Sequence, residues 1–161
     1  MRFSRLLSVF ALTLLVASSV RAENLEKLRQ ELARANDPVD RAKATAKLGD
    51  ELVKQMGDRY KAGAYTDGEL LLEEYLKAVR AAHHGLQESG RDARRKPAGF
   101  KQLEIHLRKS ARDMERIAQH APVLPADTSD TLLRAQKELD NIRSELLQAL
   151  MQGNAKAKSD I

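Results

Sequence analysis

Seven positions between Pro97 and Ala121 constrain this chain more than any other feature. Phe100, Leu103, Leu107, Ser110, Met114, Ile117 and Ala121 alternate steps of three and four, with one small polar member. At 3.6 residues per turn they share one narrow stripe of a helix, close in width to a coiled-coil seam. Lys, Arg, Glu, Asp and Gln fill the other faces. A helix of this kind is held by docking its stripe more than by propensity. The chain has few aromatic residues, no tryptophan and almost no β-branched run from which to build a sheet, so the docking surface must be other helices.

Four further segments supply them. Leu25, Leu28, Leu32 and Ala35 share a face of a short helix over Glu23–Ala35, stopped by Asn36-Asp37-Pro38. Asp37 then has the position of an N-cap, with Pro38 in the first turn of a helix whose apolar line is Thr45, Leu48, Leu52, Met56 and Tyr60. Gly49 and Gly57 lie inside that helix at a cost of about 1 kcal/mol each relative to alanine. They mark a close helix contact or a kink. Thr66 and Glu69 have capping-box spacing and predict the start of a third helix, with a stripe from Leu72 through Tyr75, Leu76, Val79 and Ala82 or His83 to Leu86. After Pro122-Val123-Leu124-Pro125, a last helix from about Ser129 to Met151 repeats the seam with Leu132, Ala135, Leu139, Ile142, Leu146 and Leu150. The expected fold is all-α: a helical bundle of four long antiparallel helices plus a short N-terminal helix. Helices two and three form one hairpin and the last two another. One domain covers 23–152, and 153–161, small and polar, reads as a disordered tail.

Residues 1–22 read as a secretory signal peptide. Arg2 and Arg5 precede an apolar core over Leu6–Val20, and Val20-Arg21-Ala22 has the small-residue pattern of a cleavage site. The core is short against the roughly 20 residues of a membrane-spanning helix, so no span is expected after cleavage. The address is periplasmic or extracellular. There is no cysteine, hence neither a disulfide nor a lipid-modified N-terminus. The formal charge of +5 counts Arg2, Arg5 and Arg21, and residues 1–22 hold no acid, so the remaining 139 residues carry only +2. The basic balance is largely the signal's, and nucleic acid is not the expected partner.

Two stretches carry resemblances. Met56-Gly57-Asp58-Arg59-Tyr60 followed by Gly63-Ala64-Tyr65 resembles the turn of a single tetratricopeptide repeat. The spacing to Gly63 is one residue short, Gly68 stands where a small alanine is usual, and no second copy follows. A solenoid needs about three repeats, so the resemblance implies one degenerate helical hairpin with a tight turn. Arg95–Arg108, RKPAGFKQLEIHLR, resembles segments of functionally unassigned exported bacterial helical proteins, which implies an address and no activity.

Chemistry-bearing patterns are sparse. There is no nucleophile elbow and no phosphate-binding glycine loop, and pairs such as Glu73-Glu74 point apart on a charged helix face. The expectation is a non-enzyme without a cofactor. His106 and His120 are two heptads apart, beside the seam, about 21 Å along the axis and too far to share a metal. His83 and His84 diverge by about 100°. A metal or haem site would have to pair His83 or His84 with His106, and surface or edge histidines are the simpler reading. The strongest site candidate is basic: Arg91, Arg94, Arg95, Lys96, Lys101 and Arg108, within a stretch to Arg116 that carries +5. Three of them precede a helix N-terminus, which itself attracts anions. The partner expected there is an acidic protein segment or an anionic envelope component, and no aromatic platform for bases accompanies it. Self-association through the seams is the other open expectation.

Overall fold

A computed structural model describes residues 23–120 and 124–152, so the expectations for the signal and the C-terminal tail lie outside the described residues. Five helices account for nearly all of it. α1 covers 23–34, α2 Pro38–Lys61, α3 Tyr65–Glu88, α4 Ala98–His120 and α5 Ala126–Gln152. The fold is the expected all-α bundle, with no strand among the described residues.

Consecutive long helices reverse direction, but the order around the bundle is α2, α3, α5, α4. Gly49 lies against His106 and Gly57 against Ile117, so α2 and α4 are neighbours that run parallel. Thr128 bonds Glu69 and Arg80 bonds Glu138, so α3 and α5 do the same. The connection between α3 and α4 therefore crosses one end of the bundle diagonally. It is fastened there by the fully buried Ala93 and by Arg91, which bonds the α2 N-cap Asp37.

The α4 stripe is the middle of the core. Phe100, Leu103, Leu107, Ser110 and Met114 are each no more than 2% exposed, and Ile117 is half-buried at the end. Each such leucine contributes about 1.5–3 kcal/mol on leaving water. The α2 line from Thr45 to Tyr60, the α3 line from Leu72 to Leu86 and Leu132, Ala135, Leu139, Ile142 and Leu146 of α5 meet it. Leu124 of the connection before α5 packs on this core, whereas Val123 and Ala121 lie outside the described residues.

One local expectation changes and another is settled. The Asp37 side chain caps α2 as read, accepting from the Val39 amide at 2.8 Å. α3, however, begins at Tyr65, with Ala64 as its N-cap and no side-chain cap bond, so Thr66 is already inside the helix. The Glu69 carboxylate that would complete a capping box instead accepts from Thr128 of α5 at 2.8 Å. A tertiary partner has taken the local one's place. The glycines of α2 turn out to be close contacts. A Cβ on Gly49 would sit 2.5 Å from the His106 ring and 2.7 Å from Tyr75, and one on Gly57 would meet Ile117 at 3.0 Å.

Candidate functional site

The room made by Gly49 admits a ring from α4 and another from α3, and with them a buried polar chain. His106, only 4% exposed, places Nδ1 3.3 Å from Asp50 Oδ1 and Nε2 3.1 Å from the Tyr75 hydroxyl. That hydroxyl is 2.6 Å from Ser110 Oγ, and Lys109 reaches the other Asp50 oxygen at 2.9 Å. The hydrogen bond from His106, ahead of the one from Lys109 and against partial burial, holds Asp50 below the usual carboxylate value. Burial pushes the Tyr75 phenol far above its ordinary value, so it remains a donor.

With Asp50 ionised, Nδ1–H donates to it, Nε2 accepts from Tyr75, and Tyr75 accepts from Ser110. A second proton on His106 reverses the inner half. Nε2–H then donates to Tyr75, Tyr75 to Ser110, and Ser110 to the His106 carbonyl 3.0 Å away. Every member is satisfied either way, which is what a buried polar chain requires. It is not the arrangement of a hydrolase triad. Ser110 is 2% exposed and Tyr75 stands between it and the histidine, whereas a nucleophile must touch its base and be open to substrate.

Asp50 forms the outer end of the chain and also lies on a groove of about 730 Å³ between α1, α2 and α4. Leu28, Val53, Gly57 and Ile117 line its apolar part. Lysines 47, 54 and 61 stand at heptad spacing along its α2 edge, and Lys109 and Arg116 repeat that spacing on α4. Four acids stand among them: Asp50 as described, Asp113 with Arg116, Glu51 with Gln55, and Asp58 between Lys54 and Lys61 in sequence. A smaller cavity of about 330 Å³ lies on the other side of α1, between Leu32, Leu48, Ala78 and Ala81. α1 is therefore flanked by space on both sides, tied by Arg29 to Glu74 through two bonds of 2.7 Å and by Glu31 to Lys47 at 3.1 Å.

The basic residues singled out from the sequence do not form one patch. Arg94, Arg95, Lys96 and Lys101 stay exposed together where the α3–α4 connection enters α4. Arg91 is instead committed to Asp37, and Arg108, further along α4, lies 3.9 Å from Glu104, which Arg143 also binds. The histidines separate likewise. His83 is buried at the α3–α5 contact, 3.4 Å from Glu145, and burial lowers its pKa despite that carboxylate. His84 is an exposed partner of Glu88. His106 is a core residue rather than an edge one, with both ring nitrogens occupied by protein. Among the described residues no group of three His, Asp or Glu side chains could hold a metal ion, and no helix is long and apolar enough to cross a membrane.

Asp50, Tyr75 and Ser110 were not candidates from the sequence. The signals that could have found them are a serine inside an apolar seam and a glycine inside a helix, which together mark where a ring and a hydroxyl can be accommodated. No protein-family model, curated protein or solved structure matches this chain.

Proposed function

We propose that the protein is an exported accessory bundle that acts by binding, with the groove between α1, α2 and α4 as its binding face. The observation that carries this is the groove itself. Its size is that of ordinary ligand sites, and it joins an apolar floor to ordered charge on both edges. The signal-like residues 1–22 support export, and intact mass of the purified protein starting at Glu23 tests it.

The binding face is tested by a photoreactive amino acid placed at Asn24 on the groove, with Leu133, exposed on α5, as the control position. Adducts of one defined partner from Asn24, and none from Leu133, are expected in the producing cell. Equal labelling from both positions, or none from Asn24, defeats the reading.

A second reading rests on the exposed cluster Arg94, Arg95, Lys96 and Lys101, which suits an anionic envelope surface. It predicts salt-sensitive binding to vesicles containing anionic lipid, lost on charge reversal at Arg94, Arg95 and Lys96. Binding that survives those reversals sinks it.

A further inference from the structure

The second cavity, on the side of α1 away from the groove, has a different lining and a simpler charge. It measures about 330 Å³ and lies against the C-terminal half of α1, between Leu32, Leu48, Ala78 and Ala81. The chain is described without a break through all three of its walls. Leu48, only 2% exposed, is its floor. Ala33 of α1 faces the space with Ala78 and Ala81 of α3, and these short side chains leave room that larger ones would fill.

Four charged side chains also line it: Arg29, Arg41, Glu74 and Lys77. Glu74 is the one acid on this lining among the described residues, and its two oxygens are taken by Arg29 at 2.7 Å each. What is left is positive. Lys77 is exposed, and neither it nor Arg41 has an ion-pair partner among the described residues. Arg41 is half-buried and held in place, because its Nε and Nη2 donate to the Ala35 carbonyl at 3.3 and 3.1 Å, just past the end of α1. That bond uses one edge of the guanidinium and leaves the edge of Nη1 and Nη2 open. Two parallel N–H groups on one edge are what a carboxylate accepts.

Shape and charge together narrow the ligand. A bare phosphate would meet the cations and leave Leu32, Leu48 and the alanines uncovered. A neutral hydrocarbon would cover those and leave the guanidinium edge unmatched. The volume is at the small end of ligand sites, which run roughly from 300 to 1,000 Å³. A helix about 10 Å across is too bulky for it. We infer that this cavity binds a single-chain carboxylate amphiphile of the fatty-acid type, its carboxylate on Arg41 and its chain between Leu32, Leu48 and Ala78. It is a second site, separate from the groove, and goes beyond the binding reading above.

The test is calorimetric titration of decanoate into the purified protein, with butyrate and decyltrimethylammonium run beside it. Decanoate is expected to saturate one site below about 1 mM, the weak end of specific recognition, and the other two are expected not to bind. Butyrate has the head without the chain, and decyltrimethylammonium has the chain with the opposite charge. Arg41→Gln should weaken decanoate at least tenfold. Because that change also removes the bond to Ala35, a second variant fills the cavity instead. Ala81→Phe places a ring in it from an exposed position and should abolish binding, with a thermal melt to check that the fold is kept. No binding of decanoate up to 1 mM, equal binding of decyltrimethylammonium, or undiminished binding to either variant overturns the inference. Adducts from Asn24 report on the groove alone, so the two sites stand or fall separately.

Discussion

Where α2 meets α4, a glycine brings the helices so close that the His106 and Tyr75 rings fill the space a methyl group would need. Where the same helix meets α1, Leu28 and Leu32 are only half-buried and cavities of about 730 and 330 Å³ lie on either side. One face of α2 is fixed by shape and by a hydrogen-bonded chain, the other by two ion-paired side chains and a few leucines. The difference suits a bundle whose interior is set while one surface stays open to a partner. Tight packing tolerates neither added nor removed atoms, whereas a partly covered seat can exchange what covers it.

The tight face is the place to break this contrast hardest. Gly49→Ala should cost about 3 kcal/mol, from overpacking and a disturbed polar chain, offset by about 1 kcal/mol of helix propensity. The midpoint of denaturant unfolding measures it. Gly85→Ala is the matched control, because a Cβ there meets nothing within 4 Å. It should be neutral or stabilising by up to about 1 kcal/mol. Equal effects at the two glycines would mean that the α2–α4 contact is not close.

Tyr75→Phe keeps the ring and removes the hydroxyl, leaving His106 Nε2 and Ser110 without their shared partner. A loss of about 1–2 kcal/mol is expected for buried groups left unsatisfied. Substituting Phe for Tyr65, which is half-buried and has no hydrogen bond to its hydroxyl among the described residues, should change little.

How much of this contrast the sequence disclosed depends on which forces are local. The stripe from Phe100 to Met114 was readable because helical period alone puts those side chains on one face, and all of them are buried. His106 was not, because it falls one position outside the stripe. Only the bare backbone of Gly49, 57 residues earlier, gives its ring a place inside. The capping box of Thr66 and Glu69 failed for a related reason, since Thr128 lies 59 residues from the carboxylate it binds. The basic residues were countable, but their grouping was not. Arg91 and Arg108 are drawn off by Asp37 and Glu104, so the exposed cluster is smaller than the sequence run. The groove was the least legible feature, because it depends on how three helices from separate parts of the chain come together.

Acid separates two sites in the bundle, His83 between α3 and α5 and Asp50 at the end of the polar chain. His83 has a folded pKa below its ordinary value of 6.5, because burial disfavours its charged form. Its stabilisation is therefore complete above about 6.5 and is lost as pH falls from there through the lower folded value. Asp50 has a folded pKa below 3.8, so its contribution is complete above that value and is lost as pH falls further, through the folded one. Melting temperatures across pH should show two steps. His83→Leu should flatten the one that starts near 6.5, and Asp50→Asn should reduce the one below about 4. A step near 6.5 that survives His83→Leu would place the titrating group elsewhere.

The smallest effect belongs to the open side. Leu28→Ala removes a half-buried side chain whose neighbour is a groove rather than a packed layer, so its cost should stay below about 1 kcal/mol. Leu107→Ala, at 1% exposure, should cost about 2–5 kcal/mol. Hydrogen exchange distinguishes a weakly seated helix from one that merely lacks a large side chain. α1 amides should exchange at a lower opening free energy than those of α2 and α4, and Leu28→Ala should speed α1 alone. If α1 is instead protected as well as α4, its seat is as firm as the core. The groove would then be a fixed surface feature, and whatever it binds would have to fit it without any adjustment of Leu28 or Leu32.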